Sequence, residues 1–378
     1  MWREFWLNEP PATSKRQVPH PVPQGKILMY HLKTYSVESV TSGHPDKVCD
    51  QISDAILDEC LRQDPKSRCA VEAFGGHGLL VIGGEVTTRA VFDAEAIARQ
   101  LYRDIGYTDE LKVITNLVRQ SPEIAQGVDT GGAGDQGMMY GYATDETPEY
   151  MPMAVVAVHA LARGLERLRR SGNCNWLRPD GKTQITVENG IISTVLVSTQ
   201  HSKEVDQNFI KKQLTEHLIA PVIGDISKVK ILVNPTGSFV SGGFEADAGL
   251  TGRKIMVDTY CGLMLHGGGA FSGKEPNKVD RSAAYMARFV AKNLVANGFA
   301  KRCLVTVAYA IGLAEPLMVD AVNEKDESLA EIVKKNFDFR PLAIIERLNL
   351  RQPIYRPTAA YGHFGVSGRS WEDIIKIS

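Results

Sequence analysis

The sequence lacks the features that would assign it to several common classes of protein. Its 43 Lys and Arg residues nearly balance its 44 Asp and Glu residues, and the net charge of -1 leaves no overall field to attract nucleic acid or anionic lipid. No apolar run approaches the roughly 20 residues of a membrane-spanning helix, and the amino-terminal residues lack the apolar region of a signal peptide. We therefore expect a cytoplasmic protein with no nucleic-acid or membrane partner.

Cysteine is scarce, and its spacing shows no pairing. No Cys-x-x-Cys motif occurs, which argues against a zinc ribbon, a redox pair and a disulfide scaffold. We expect reduced thiols at all six positions, which are Cys49, Cys60, Cys69, Cys174, Cys261 and Cys303.

The first 31 residues differ in composition from the rest of the chain. Five prolines between Pro10 and Pro23 interrupt any helix or central strand, and no apolar period is visible. We predict that residues 1–31 are an extension outside the fold. Translation from Met29 and an arm that docks through its aromatic residues both stay open as explanations.

Beyond residue 31, hydrophobic periodicity predicts helices and strands that alternate along the chain. Helical spacing covers about 45–63, 93–105, 153–170 and 281–296. Strand-like runs cover 68–74, 79–87, 191–198, 229–233 and 303–311. The first two runs form a hairpin, and the glycine-rich segment 127–141 is predicted as a loop. Because hairpins occur beside crossovers, we predict an α/β chain with mixed (α+β) sheets rather than a doubly wound parallel sheet.

Two glycine-rich strings match nucleotide-binding fingerprints only in part. Gly132 to Gly137 (GAGDQG) fits the dinucleotide pattern, but no strand pattern leads into it, so we reject a Rossmann motif. Gly268 to Lys274 (GGAFSGK) fits the body of a P-loop, but the Glu-Pro that follows lacks the required Ser or Thr and disrupts the required helix. Glycines at both places still let a phosphate approach the backbone closely.

Four short clusters combine cations with glycine, carboxylate or both. At residues 42–47 a predicted helix start offers free N–H groups to an anion, His44 can donate to a phosphoryl oxygen, and Asp46 can bind a hard cation. The others lie at residues 274–280, 180–182 and 249–254. Each cluster alone is compatible with a solvated surface turn. In a chain without net positive charge, four of them indicate one polyphosphate ligand bound together with metal.

The strings that carry these clusters resemble those of one protein family. They are residues 38–47 (ESVTSGHPDK), 132–137 (GAGDQG), 266–274 (HGGGAFSGK) and 278–285 (KVDRSAAY). Together and in this order they are highly specific. From about Tyr35 to near its end, the chain resembles the S-adenosylmethionine synthetase, or methionine adenosyltransferase, family.

The resemblance implies three similar domains in a pseudo-threefold arrangement, with boundaries interleaved in sequence. On this basis the N-terminal domain is 32–129, the central domain 130–241 and the C-terminal domain 242–378. The family forms a homodimer or homotetramer with active sites at the subunit interface. The implied reaction joins L-methionine to ATP: the sulfur attacks the ribose C5′, and the released triphosphate is hydrolysed to diphosphate and phosphate.

The resemblance also assigns roles to residues. It implies two Mg2+ ions per site, held by Asp46 and Asp280, and a K+ ion at Glu72. The positions that match ATP contacts are His44, Asp180, Gly181, Lys182, Ser238, Phe239, Asp247, Arg253, Lys254, Ala270 and Lys274. Those that match catalytic contacts are His44, Lys182, Arg253 and Lys274. Those that match methionine contacts are Glu85, Gln120, Asp247 and Lys278, with Asp135 as a further acid of the site.

The chain departs from the family pattern at two notable places. Ser238 stands where an arginine is usual, and the segment between Gln120 and Asp135 is shorter than in common bacterial members. Because that segment gates the site in the family, turnover and substrate tolerance are expected to differ.

Two other functions fit the same clusters less well. An ATP-dependent phosphotransferase lacks support, because the P-loop Ser or Thr and the kinase motifs are missing. A noncatalytic regulatory homologue would have no need of His44, both metal acids and the lysines together.

Overall fold

The computed structural model describes residues 32–119 and 131–378, and within these ranges the strands form three separate sheets. The predicted extension at 1–31 and the segment 120–130, with Gln120, lie outside the described residues. The strands are β1 (Thr34–Val40), β2 (Arg68–Gly76), β3 (Leu79–Thr87), β4 (Lys112–Val118), β5 (Gly137–Thr144), β6 (Leu177–Glu188), β7 (Ile191–His201), β8 (Lys230–Val233), β9 (Gly249–Leu250), β10 (Arg302–Tyr309) and β11 (Met318–Asn323). All five strand-like runs predicted from the sequence are confirmed.

Helices connect these strands and cover the sheets. They are α1 (Pro45–Gln63), α2 (Ala94–Ile105), α3 (Met153–Arg170), α4 (Gln207–Leu214), α5 (Ala220–Ile223), α6 (Ile255–Asp258), α7 (Val279–Ala296), α8 (Ala330–Asn336) and α9 (Pro341–Arg347). Periodicity predicts α1, α2, α3 and α7, and the structure confirms each of them.

Each sheet takes one strand from a different part of the chain. The strand orders are β1-β6-β7-β8, β11-β10-β5 and β4-β3-β2-β9. Strand β1 joins the sheet of β6, β7 and β8, and β5 joins the sheet of β10 and β11. Strand β9 joins the sheet of β2, β3 and β4, which completes the exchange. Parallel pairs β3–β4 and β7–β8 lie beside antiparallel pairs, so two of the three described sheets are mixed, as predicted. The β11-β10-β5 sheet is antiparallel.

One long helix packs on each sheet, with α1 on β2, α3 on β6 and α7 on β5. Helix α7 is buried almost throughout and carries two arginines into the core. Arg281 binds Asp54 of α1 through two hydrogen bonds of 2.6 and 2.8 Å, and Arg288 binds Glu372 through two of 3.0 and 2.8 Å. Because a buried charge costs several kcal/mol when unpaired, the Arg281 pair fixes α7 against α1, and the Arg288 pair fixes the residues around Glu372 against α7.

The prediction of a loop over residues 127–141 is wrong for its last part, because β5 begins at Gly137. Gly141 pairs with Val305 of β10, and an added Cβ there would lie 2.0 Å from the Ala287 carbonyl carbon in α7. Glycine is required at this position because a helix crosses the strand closely, and the chain does not turn there. A strand after the GAGDQG string also agrees with the rejection of a Rossmann motif, which needs a helix at that place.

Two expectations about the core and surface can be compared with the structure directly. All six cysteines are free, as predicted, and all six are buried. In the described ranges, no helix combines the length and apolar character needed to cross a bilayer.

Candidate active site

The end of β1 brings the start of helix α1 beside strand β6. Val40 pairs with Lys182, and the Thr41 amide donates to the Gly181 carbonyl at 2.9 Å. Pro45 then opens the helix at a position where its missing N–H is not needed. The first turn of α1 therefore lies next to the exposed Lys182.

His44 caps helix α1 and lies close to two lysines. Its Nδ1 accepts a hydrogen bond from the Asp46 amide at 3.2 Å, which leaves the proton of the neutral ring on Nε2. Burial, together with the charges of Lys254 and Lys182, lowers the pKa of His44 to about 3. The imidazole is neutral at pH 7, and its Nε2–H is a donor that suits a phosphoryl oxygen.

Asp46 lies in the first turn of α1 and contacts the segment 250–254. It accepts from the Leu250 amide at 3.0 Å and from Lys254 Nζ at 2.6 Å, and Arg253 Nε lies 3.4 Å from Oδ1. Burial alone would raise the pKa of Asp46, but the hydrogen bonds from Lys254 and Leu250 outweigh it, so the pKa is lowered. The ionised carboxylate holds both cations near His44.

Asp180 and Gly181 lie at the same end of β6 as Lys182. One Asp180 oxygen accepts from the Gly243 amide at 2.9 Å, and the other, Oδ1, is buried with no hydrogen-bond partner among the described residues. Burial raises the pKa of Asp180 to about 6. Since an unpartnered buried oxygen costs about 1–3 kcal/mol, Oδ1 marks a position where a ligand donor fits.

Three further residues predicted to contact ATP lie near this end of the sheets. Phe239 is partly buried beside the end of β7, where its amide donates to His201 Nε2 at 3.1 Å. Ser238 is exposed and offers a hydroxyl where the family pattern offers a cation. Asp247 is exposed in the turn that leads to β9.

A second group of predicted residues lies at the start of helix α7. Lys274 Nζ donates to Asp280 Oδ2 at 2.5 Å, and Lys278 is the N-cap residue of the helix. Gly269 makes room for the Asp280 carboxylate, because an added Cβ there would lie 2.2 Å from Oδ1. Asp135 is exposed just before β5, and an added Cβ on the first residue of β5 would lie 3.6 Å from Asp280.

The predicted methionine and potassium residues lie on the neighbouring sheet. Glu85 of β3 pairs with Ala70 of β2, which on its other side forms a bridge to Lys274. Glu72 lies two residues along β2 and is exposed on the same face as Ala70. The predicted methionine contact Gln120 lies outside the described residues.

The predicted site residues thus fall into two groups. We call them the α1 group (His44, Asp46, Asp180, Lys182, Arg253 and Lys254) and the α7 group (Lys274, Lys278 and Asp280). Within the described parts of the chain, no hydrogen bond or ion pair joins a side chain of one group to a side chain of the other. The segments that carry them do approach each other, since an added Cβ at Gly252 would lie 2.6 Å from the Cβ of Ala270. The two groups therefore lie on neighbouring segments, with no direct bond between their side chains among the described residues.

Neither group is a complete metal cage. Among residues 32–119 and 131–378, no set of three His, Cys, Asp or Glu side chains could enclose a metal ion. Mg2+ that acts with a nucleotide takes one or two carboxylates and completes its shell with phosphate oxygens and water. Asp46 and Asp280, each a single carboxylate beside a lysine, fit a site of that kind.

Sequence reasoning missed the residues that hold the α1 group in place. The Tyr107 hydroxyl donates to the Gly43 carbonyl at 2.5 Å, and the Tyr361 hydroxyl accepts from the Ser42 amide at 3.1 Å. Both tyrosines come from distant parts of the chain and carry no local signal. The sequence does carry a signal for another set of supporting residues, the aspartates of α1, which recur at every fourth position from Asp46 to Asp58.

Together, the fold and the two charged groups define a polyphosphate-binding enzyme of three interleaved α/β units. Family models of the S-adenosylmethionine synthetase N-terminal, central and C-terminal domains match residues 33–124, 130–239 and 241–373. The chain belongs to the S-adenosylmethionine synthetase family, a family of metal-dependent transferases.

Similar proteins in several bacteria agree with this assignment. The chain is 50% identical to the S-adenosylmethionine synthase of Bifidobacterium adolescentis, over 92% of this chain and 98% of the relative. It is 51% identical to that of Pseudothermotoga lettingae, over 91% of this chain and 97% of the relative. It is 47% identical to that of Staphylococcus epidermidis, over 93% of this chain and 98% of the relative.

Proposed function

We propose that this protein makes S-adenosylmethionine from ATP, L-methionine and water, with release of phosphate and diphosphate. The observation that carries the proposal is the convergence of the α1 group on one helix start. A neutral imidazole with a free Nε2–H, the cations Arg253 and Lys254, and Lys182 of β6 are held there together. This set suits a leaving triphosphate, and relatives at about 50% identity are synthases of this product.

The chemistry explains why cations rather than acid–base pairs dominate both groups. A thioether sulfur is already nucleophilic and has no proton to lose, so its attack on C5′ needs no general base. As the S–C5′ bond forms, the C5′–O bond breaks and its electron pair leaves with the triphosphate. Orientation can supply about 7–11 kcal/mol of such a barrier, and each contact to the developing charge about 3–4 kcal/mol.

In this proposal the α1 group and Lys274 hold the nucleotide. The contacts to the triphosphate are His44, Lys182, Arg253, Lys254 and Lys274. His44 donates Nε2–H close to the breaking bond, where charge develops. The unpartnered oxygen of Asp180 accepts a hydrogen bond from the adenosine. The rest of the nucleotide pocket is formed by Gly181, Ser238, Phe239, Asp247 and Ala270.

We propose that Asp46 and Asp280 each hold a Mg2+ ion and that Glu72 holds K+. When bound, the metal ions neutralise phosphoryl oxygens of the substrate and of the leaving triphosphate. Lys254 and Lys274 bind these two carboxylates directly and are already placed beside the expected phosphates. Glu72 is an exposed carboxylate, and a large monovalent cation there needs further oxygen ligands from outside this strand.

The methionine contacts in this proposal are Glu85, Gln120, Asp247 and Lys278, with Asp135 close to the substrates. Opposite charges on Lys278 and Glu85 match the carboxylate and ammonium groups of an amino acid. Glu85 lies one strand from the bridge between Ala70 and Lys274, which supports a position beside the triphosphate site.

One assay tests the reaction. The protein is incubated with ATP, L-methionine, Mg2+ and K+, and the products are separated. We expect a sulfonium product in equal amount to diphosphate and phosphate. ADP as the main nucleotide product would instead identify a phosphotransferase, and nucleotide binding without turnover would identify a regulatory homologue.

We further propose that the active enzyme is a homodimer or homotetramer with sites shared between chains. Helix α1 covers one face of the β4-β3-β2-β9 sheet, while Phe74, Val81 and Ile114 form an apolar row across the other. Phe74 and Ile114 are 41% and 44% exposed, and Glu72 and Glu85 lie on the same face. A second copy on this face would cover the apolar row and enclose both glutamates. The three-domain division at 32–129, 130–241 and 242–378 is part of the same proposal.

Phe74→Lys is expected to convert the protein to monomers and to remove most of its activity, because it replaces the large apolar side chain at the centre of the interface with a charged one that is costly to bury. Light scattering coupled to size-exclusion chromatography measures the mass. Val91→Lys is the matched control, since Val91 is 86% exposed and lies outside the strands. A monomeric wild-type enzyme with full activity would contradict the shared site.

A further inference from the structure

Helix α1 binds the carboxy-terminal half of the chain through a row of aspartates spaced four residues apart. Each side chain accepts hydrogen bonds from backbone amides far away in sequence. The bonds are Asp46 from Leu250 at 3.0 Å, Asp50 from Gly252 at 2.8 Å, Asp54 from Gly273 at 2.8 Å, and Asp58 from Tyr355 at 2.9 Å and Arg356 at 2.8 Å. Since residues four apart share one helix face, this row forms a single docking edge.

The segment 250–258 is held by helix α1 at both of its ends. At its start, Asp50 binds the Gly252 amide. At its end, the Lys47 ammonium lies 2.5 Å from Asp258, the last residue of α6, and 2.8 Å from Asp50. All three side chains are almost completely buried. Arg253 lies between the two anchors.

The backbone at Gly252 depends on contacts from elsewhere in the chain for its conformation. Gly252 has a φ of 82°, a left-handed conformation that favours glycine, and it lies against the side chain of Ala270. The bond to Asp50 therefore fixes a backbone that local sequence alone would leave free. The next two residues are Arg253 and Lys254, both of which contact Asp46.

We propose that Lys47, Asp50 and Asp258 are positioning residues that hold Arg253 and Lys254 in register with His44 and Asp46. The inference rests on the proposed function, because it assigns these supports to the grip on the leaving triphosphate. Burying two acids and one lysine stabilises the fold less than burying apolar side chains of similar volume would. The directional bonds of these three residues instead fix the position of segment 250–258 along α1. Displacement of the segment by about 1 Å is enough to lower the rate by about 100-fold.

The test compares Asp50→Ala with Asp58→Ala. Each variant lacks one aspartate of the same helix face, and each of these aspartates accepts hydrogen bonds from backbone amides. Asp58, however, holds residues 355–356, which carry no predicted phosphate contact. We expect Asp50→Ala to lower kcat by about 10- to 100-fold and to weaken the binding of inorganic tripolyphosphate with Mg2+, measured by calorimetry. Asp58→Ala should lower the melting temperature by a similar amount with little change in either quantity.

A conservative variant separates positioning from a general structural role. Asp50→Asn keeps an oxygen that can accept from the Gly252 amide, and Lys47 keeps Asp258 as a partner, so we expect it to recover most of the lost kcat and tripolyphosphate affinity. Asp50→Asn as impaired as Asp50→Ala would overturn the proposed contact. If Asp50→Ala fails to fold, Asp258→Asn provides the comparison, with weaker tripolyphosphate binding as the expected result.

The outcomes distinguish this inference from the proposed function. A wild-type enzyme that neither forms the sulfonium product nor binds tripolyphosphate removes the proposed function. If the wild-type enzyme is active, the proposed function stands. The positioning role is overturned if the Asp50→Ala and Asp58→Ala variants then lose activity equally, in proportion to their loss of stability.

Discussion

Asp46→Asn is expected to lower kcat for S-adenosylmethionine formation by about 100- to 1,000-fold, the loss that follows removal of one contact to developing charge. The amide keeps the size of the side chain and can still accept from the Leu250 amide. It loses the negative charge that would bind Mg2+ and that now holds Lys254 at 2.6 Å. The fold should survive, because the substitution removes a charge and keeps the backbone contact.

The measurement is kcat as a function of Mg2+ concentration, with the unfolding transition recorded for each variant. Asp64→Asn is the matched control, because Asp64 lies just after the other end of α1 and accepts from the Lys66 and Arg89 amides at 3.2 and 3.1 Å. We expect the control to turn over at the wild-type rate and Asp46→Asn to require more Mg2+. Unchanged turnover in Asp46→Asn would remove this residue from the metal role.

Local signals were sufficient to predict most of the secondary structure. Helix α1 combines Pro45 in its first turn with apolar residues at helical spacing, and its predicted limits agree with the structure. The prediction failed at residues 137–141, where glycine stands in a strand. Gly141 is required by the approach of α7, which follows more than a hundred residues later, so the sequence around it resembles a loop.

The division of the candidate site into two groups had no local signal either. It depends on strands that leave their own part of the chain, and the clearest case is β9, whose Gly249 and Leu250 pair with Gly75 and Phe74 of β2. A two-residue strand is too short for any periodicity. The family resemblance named the residues, while the long-range pairing decides which of them lie together.

Asp280→Asn is expected to cause a loss of kcat similar in size to that of Asp46→Asn, because it removes the carboxylate of the α7 group. Lys274, which now donates to it at 2.5 Å, would lose the ion pair and keep only a hydrogen bond to the amide oxygen. The added volume is nil, so the close approach of Gly269 is undisturbed. Full activity in this variant would exclude Asp280 from metal binding.

Mixtures of the two inactive variants test whether both groups serve one site. If the α1 group of one chain works with the α7 group of its partner, a mixed dimer of Asp46→Asn and Asp280→Asn has one doubly substituted site and one site without substitutions. Random pairing on co-expression should then restore about a quarter of wild-type activity, because half of the dimers are mixed and half of their sites are intact.

The control mixture combines Asp46→Asn with His44→Asn, two changes within the α1 group. Every site in that mixed dimer carries one of the substitutions, so no activity should return. Recovery of activity in the first mixture but not in the control requires that the α1 group and the α7 group meet across the interface. Within the described parts of one chain, no side-chain bond joins them. Absence of recovery in both mixtures would place each complete site within a single chain, and the exposed face around Phe74 would then need another explanation.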